Sequence, residues 1–336
     1  MYILGMESSC DETSVAVVEK VDGKFFVKSD IIASQIETHR LYGGVVPEIA
    51  SRAHIEAISR ITYEALDVAG VTLKDIDCIA VTSHPGLIGA LLVGVNFAKS
   101  LAFANKIPLV AVNHINGHIA AAYLTDDTLA PPYLALVVSG GHTNIFSVEE
   151  YRDFKVIGTT RDDAVGEAFD KIGRVIGMPY PGGAAMDKLA YEGNPDAIKF
   201  PSPALRDSLD FSFSGIKTAA LNYINGANQR GEEINRADLT ASYTKTICEG
   251  IEKQIDGALK ATGYKTLVMA GGVAANSHIR RTLQELCDKR GVKFIYPPIN
   301  LCGDNAAMIA AAGSFEFEAG MRADTSLNAS ASDDGK

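Results

Sequence analysis

The sequence is poor in cysteine, in uninterrupted apolar runs and in positive charge, and each shortage argues against a class of protein. Its five cysteines (Cys10, Cys78, Cys248, Cys287, Cys302) are scattered, odd in number and never spaced as C-x-x-C. That argues against a disulfide framework or a cysteine-built zinc site, and it fits a protein of the reducing cytoplasm. No stretch of eighteen apolar residues free of charge occurs, so no membrane span is expected. The opening residues, MYILGMESSCDETS, lack the basic segment and long apolar run of a secretory signal. Lys and Arg number 31 against 41 Asp and Glu, a net charge of −10. A chain this acidic is poorly suited to grip nucleic acid unaided, because phosphate contacts need cations. One stretch runs the other way: Lys265, Arg280, Arg281, Lys289, Arg290 and Lys293 face only Glu285 and Asp288. A solvated helix face accounts for it.

What is present is ordinary for a globular protein: 47% hydrophobic residues, 21% charged, and 31 glycines in 336 residues. That length suggests two domains. The chain also repeats its own plan. Tyr2 to Glu7 reads as an apolar strand, followed by the polar turn 8–12 and a strand from Thr13 to Val18. Tyr133 to Val138 reads the same way, followed by Ser139-Gly140-Gly141-His142 and a strand from Thr143 to Val148. Third strands are expected at Phe25 to Ile32 and Phe154 to Thr159. Further on, a strand after Asp77 leads through Pro85-Gly86 into a helix, and one after Lys265 leads through Gly271-Gly272 into another. Finally, Pro108 leads into a helix at His114 to Tyr123, and Lys293 into one at Gly303 to Ala312. The offset between the halves grows by about 57 residues, an insertion at about 162–217.

A duplicated β-β-β-α-β-α-β-α plan with polar turns between the first strands is the layout of actin-like ATPases and sugar kinases. The expected fold class is therefore α/β, a duplicated actin-like fold (ASKHA) with two lobes around a central nucleotide cleft. The expected lobes are 1–130, with a C-terminal helix near 303–320 packing back onto it, and 131–302.

His114 and His118 are four residues apart in a helical segment, which places both imidazoles on one face, as metal ligation requires. The repeat sets Asp304, at the start of the corresponding helix, against them. Two histidines and a carboxylate with open positions suit Fe(II) or catalytic Zn(II), and the ligand types alone do not separate the two. The alternative for Asp304 is a helix N-cap. A zinc peptidase of the H-E-x-x-H type is a poor fit, because Ile115 stands where the glutamate base is needed.

At this point the chain resembles, over nearly its full length, the tRNA N(6)-threonylcarbamoyladenosine transferase family, TsaD in bacteria. Members have also carried the label O-sialoglycoprotein endopeptidase. The motifs are Glu7-Ser-Ser-Cys-Asp-Glu-Thr, His114-Ile-Asn-Gly-His, Val138-Ser-Gly-Gly-His-Thr, Asp163-Ala-Val-Gly-Glu-Ala-Phe-Asp-Lys, Tyr180-Pro-Gly-Gly, Phe211-Ser-Phe-Ser-Gly-Ile-Lys-Thr, Gly271-Gly-Val-Ala-Ala-Asn and Cys302-Gly-Asp-Asn-Ala-Ala-Met. One departure is Asn116, where the family usually has Glu.

The resemblance implies a metal held by His114, His118 and Asp304, with Fe(II) favoured over Zn(II). It implies substrate contacts at Val137, Val138, Ser139, Gly140 and Gly141, completed by Asp170, Gly183, Asp187 and Asn276. Asp170 also reads as a surface partner of Arg174. The implied reaction moves the threonylcarbamoyl group of threonylcarbamoyl-AMP to the N(6) amine of the adenosine 3′ of the tRNA anticodon. TsaB-like and TsaE-like proteins are the implied partners. Asp11 and Glu12 are candidates for the general base, with capping as their alternative. A kinase on the same fold is disfavoured, since Ser8-Ser9-Cys10 has no glycine for a phosphate turn; a non-catalytic nucleotide-binding scaffold is the other rival.

Overall fold

A computed structural model describes residues 1–332. In the first half the strands are β1 (Tyr2–Glu7), β2 (Glu12–Val21), β3 (Lys24–Ser34), β4 (Cys78–His84) and β5 (Leu109–Asn113). Its helices are α1 (Ile36–Arg40), α2 (Pro47–Ala69), α3 (Ile88–Asn105) and α4 (His114–Ala120). The second half holds β6 (Tyr133–Val138), β7 (Thr143–Glu150), β8 (Asp153–Thr159), β9 (Thr266–Ala270) and β10 (Lys293–Ile295). Its helices are α5 (Val165–Val175), α6 (Gly182–Leu189), α7 (Ser214–Arg230), α8 (Arg236–Thr262) and α9 (Ser277–Arg290), and α10 (Ala306–Glu318) follows. These elements form two units: Met1–Ala130 with the chain from Pro297 onward, and Pro131–Tyr296.

The two sheets have one topology. The orders are β3-β2-β1-β4-β5 and β8-β7-β6-β9-β10. In each, the first three strands of the half are antiparallel neighbours and the last two join in parallel. The β2–β3 hairpin turns at Asp22-Gly23, both at positive φ, the Asp-Gly pair that a tight two-residue turn demands.

Alternation along β1 sorts the layers of the first unit. Leu4 and Met6 are buried with Ile61 and Ala65 of α2 and with Val95 and Ala98 of α3. Gly5, between them, points to the opposite face and lies on α10: a Cβ there would sit 2.2 Å from the Ala306 carbonyl oxygen. β4 repeats this, with Val81 toward α3 and Ala80 against Gly313 of α10. α3 has the length and apolar composition of a membrane span, yet its Leu91, Val95, Ala98 and Ala102 are buried in this core. Lys99 on the same helix donates to the Leu327 carbonyl at 2.9 Å. In the second unit β6 is buried along its whole length. There Phe169 of α5 meets Tyr243 of α8 edge-on, ring centres 5.8 Å apart.

Three boundaries differ from the sequence expectation. The chain joins the first unit at Pro297, ahead of the expected boundary after residue 302. α10 starts at Ala306 and not at residues 302–304, because Asn305 in extended conformation accepts the Met308 amide and opens the helix there. The inserted segment contains α5 and α6, and α7 runs unbroken past Lys217 to Arg230, where Gly231 at positive φ ends it.

Gly5→Ala forces the first turn of α10 away from β1. We expect a loss of about 1–3 kcal/mol in urea unfolding, the usual cost of overpacking a tight core. Unchanged stability would show that the contact yields freely.

Candidate functional site

Asn113 ends β5 and accepts the amides of Ile115 (2.7 Å) and Asn116 (3.1 Å), so α4 begins at His114. One turn later comes His118, and the two rings stand 4.6 Å apart, centre to centre. Gly117 between them lets α4 settle on α10: a Cβ there would lie 2.6 Å from Ile309 Cδ1. Asp304 stands before α10, with Oδ1 at 3.6 Å from His114 Nε2 and 3.2 Å from His118 Nε2. One ligand atom from each of the three residues lies within 4.8 Å of the others. The cap of α10 is Asn305, so Asp304 is not needed for that purpose.

The chemistry of this group fits a divalent ion. His118 is 1% exposed, and neither ring nitrogen has a hydrogen-bond partner among the described residues. Its Nε2 is near Asp304 Oδ1 but out of line for a hydrogen bond. A buried, unsatisfied polar group costs about 1–3 kcal/mol. A cation taking the Nε2 lone pair would remove part of that cost, and two imidazoles with one carboxylate are ligands that Fe(II) and Zn(II) accept.

Glu7, to which no role was assigned from sequence, completes the arrangement. It ends β1 fully buried, with Oε2 3.0 Å from His114 Nδ1. Thr82 Oγ donates to the same oxygen at 2.6 Å, and the Ser9 amide donates to Oε1 at 2.5 Å. Burial opposes its ionisation, but the His114 imidazole and the Thr82 hydroxyl prevail over it and over the charge of Asp304, holding the carboxyl below the ordinary range. With Glu7 accepting at Nδ1, the His114 proton belongs on that nitrogen and the Nε2 lone pair faces Asp304.

Asp11 and Glu12, on the turn after β1 and the start of β2, are largely buried. Burial first, then the charges of Asp304 and Asp11, push Glu12 up to about 9. It keeps its proton at neutral pH unless a cation on Asp304 offsets that charge. Burial and the same carboxylates push the Cys10 thiol up as well.

The other candidates all lie in the second unit. Val137 and Val138 are buried at the end of β6. The following turn closes on itself through the Ser139 amide to the His142 carbonyl (2.8 Å) and the His142 amide to Ser139 Oγ (3.1 Å). Gly140 and Gly141 are exposed, without positive φ, and a Cβ on either meets nothing within 4 Å. The protein's own packing does not require glycine there, and the backbone is left open to an approaching group. Gly271 is the reverse: at φ 91° its Cβ would lie 2.4 Å from the Val138 carbonyl oxygen, so only glycine fits.

Asp170 accepts the Gly183 amide (3.0 Å) at the start of α6 and makes no ion pair with Arg174 among the described residues. Burial raises its pKa, and the amides of Gly183 and Gly182 act against that. Asp187, one turn after Gly183, has both oxygens committed to the start of α9: the Ser277 amide, the Ser277 hydroxyl (2.8 Å) and His278 Nδ1 (2.9 Å). Burial raises its pKa, but the bonds from His278 and Ser277 outweigh that and hold it low. Asn276 caps α9 by accepting the Ile279 amide at 3.0 Å. Asp163, which opens its motif, and its neighbour Asp162 also tie segments together: Asp162 accepts the amides of Phe213 and Ser214, and Asp163 binds Lys171 and Lys217.

The low pKa of Asp187 makes its contribution to stability complete above about pH 4, the ordinary carboxylate value, and lost as pH falls through the lower folded value. Asp187→Asn should therefore destabilise the protein at pH 7 by about 1–3 kcal/mol, a gap that closes as urea titrations move below pH 4. A gap independent of pH would remove the charge from this account.

The family model TsaD, tRNA N6-adenosine threonylcarbamoyltransferase, matches residues 26–311. A tRNA N6-adenosine threonylcarbamoyltransferase of Clostridium botulinum (strain 657 / Type Ba4) is 55% identical over 331 residues, covering 97% of this chain and 96% of that protein. Among solved structures, component A of (R)-2-hydroxyglutaryl-CoA dehydratase from Acidaminococcus fermentans aligns at TM-score 0.56 and 15% identity, over 95% of this chain and 98% of that one. The ROK hexokinase of Thermus thermophilus aligns at 0.50 and 14%, over 95% and 100%. These distant structures show the fold, the duplicated actin-like α/β architecture. The family match and the full-length identity show that the chain belongs to the tRNA N6-adenosine threonylcarbamoyltransferase family.

Proposed function

We propose that the protein transfers the threonylcarbamoyl group of threonylcarbamoyl-AMP to the N(6) amine of the adenosine 3′ of the anticodon, in tRNAs reading codons that begin with adenine. The carbamoyl carbon gains a bond to N(6) and loses its bond to the phosphate oxygen. AMP leaves with that electron pair, and the amine gives up a proton. The observation that carries this reading, in a chain of this family, is the His114–His118–Asp304 group with the unpartnered nitrogens of His118. A sugar kinase has no use for it.

The amine is a weak nucleophile because its lone pair is delocalised into the purine, so the electrophile has to be activated. His114, His118 and Asp304 would hold one divalent ion, Fe(II) in preference to Zn(II). When bound, that ion supplies positive charge that polarises a carbonyl or orients a phosphate. Glu7 fixes the ring and proton of His114. In the second unit, the bare backbone at Gly140 and Gly141 admits the phosphate of the adenylate, with amide N–H groups as donors to developing charge. Asp170, Gly183, Asp187 and Asn276 line the adenosine side, where Asp187 acts chiefly by fixing the start of α9. Asp11 and Glu12 are the candidates to take the amine proton, Glu12 only when a cation on Asp304 has offset the charge that keeps it protonated. With a net charge of −10 the chain needs help to hold tRNA, and TsaB-like and TsaE-like proteins fit that need. Five unpaired cysteines suit the cytoplasm.

Reconstitution tests the reaction. Pre-formed threonylcarbamoyl-adenylate, tRNA and the partner proteins should give one AMP for each modified adenosine. Rapid ATP-dependent phosphorylation of a sugar or acid without tRNA modification would establish the kinase reading instead. Elemental analysis tests the metal: the purified protein carries iron or zinc and His118→Ala loses most of it, whereas equal content in both would refute the assignment. With Ile115 in place of a base, no chelator-sensitive cleavage of glycoproteins is expected.

A further inference from the structure

Asp304 reaches the histidines from the bend at 303–304, one residue before the extended Asn305 that opens α10, so its position depends on where α10 begins. The first amides of a helix have no partners within it, and in α10 they are answered by Asn305, Ser14 and Asp30. The Met308 amide goes to Asn305 Oδ1 at 2.8 Å. The Ala306 amide goes to Ser14 Oγ on β2 at 2.9 Å. Ser14 Oγ in turn donates to Asp30 Oδ1 on β3 at 3.0 Å; burial pushes the Asp30 carboxyl up to about 6, and the Ser14 hydroxyl and the amides of Ala306 and Ala307 act against that. Ser14 and Asp30 are cross-strand neighbours, Ser14 pairing with Ile32 and Ala16 with Asp30, so the sheet itself carries the acceptor pair. Asp30 is mostly buried, has no cation beside it among its bonded partners, and lies at the positive end of a helix dipole. Such a residue is costly in a strand unless it holds something in place.

We propose that Asp30, acting with Ser14, is a positioning residue that fixes the start of α10 and thereby aims Asp304 at His114 and His118. It touches neither ion nor substrate. The packing of Gly5 against the Ala306 carbonyl sets how close α10 comes to the sheet; Asp30 and Ser14 set where along the sheet it begins, and hence the reach of Asp304. The proposal rests on the metal reading of that group.

The test is Co(II) binding by the full chain, followed by its visible absorption and by competition with a chelator. Asp30→Ala should weaken Co(II) affinity on the order of 10–100-fold, the usual effect of losing support behind a metal ligand, and shift the absorption band. Asp30→Asn, which keeps an acceptor in place, should restore most of the affinity and the band. Ser14→Ala provides the same readout if Asp30→Ala fails to fold, and should weaken binding likewise. Leu66→Ala, a core truncation on α2, serves as the control for general destabilisation and should leave the affinity unchanged. Asp30→Ala binding as tightly as the unaltered protein, or Leu66→Ala losing as much as Asp30→Ala, would overturn the positioning role. No Co(II) binding by the unaltered protein would overturn the metal reading and this proposal with it.

Discussion

No side chain fits between the middle of β1 and the first turn of α10, and the candidate metal group depends on that. Gly5 brings the backbone of the strand against the Ala306 carbonyl. Two residues beyond Gly5, β1 ends in Glu7, which holds His114; two residues ahead of Ala306 stands Asp304. This close backbone approach thus sets how near the two carboxylates that flank the imidazoles can come. Interiors are close-packed, so a change at this contact is felt by the residues on both sides of it.

The two units use their carboxylates differently. In the second unit Asp162, Asp170 and Asp187 each sit at the start of a helix and have accepted its amides. Helix N-termini favour negative charge, and through these bonds the three residues tie the starts of α7, α6 and α9 to the segments that carry them. In the first unit Asp304 stands beside a helix start but leaves its capping to Asn305, and its Oδ1 faces the Nε2 atoms of both histidines instead.

Much of this was legible in the sequence, for identifiable reasons. β1 and β6 have the bounds read from sequence because each is an apolar run stopped at once by a polar turn. The histidine pair was legible from spacing, and Asp304 from the internal repeat. The start of α10 was misplaced because Gly303, Asp304 and Asn305 are all residues that begin helices well, and only the donor geometry at Met308 selects among them. The extent of α7 was missed because its start is set by Asp162, some fifty residues earlier in the chain. Glu7 was not singled out for a similar reason. A glutamate closing a buried strand is unusual, but its partner His114 is 107 residues away and nothing local points to it.

The first unit is assembled from both ends of the chain, with residues 131–296 folded separately in between. On the ribosome, β1 to α4 are therefore made long before the helix that covers Gly5, and the sheet face awaiting α10 stays uncovered while the second unit is synthesised. Domains commonly fold as they emerge, and here the second unit can do so while the first cannot finish. Asp304 is added only after both histidines and the whole of the other unit are in place. Any product of interrupted synthesis ending before residue 304 has the imidazoles without the carboxylate, so the ligand set is complete only once synthesis has passed that residue.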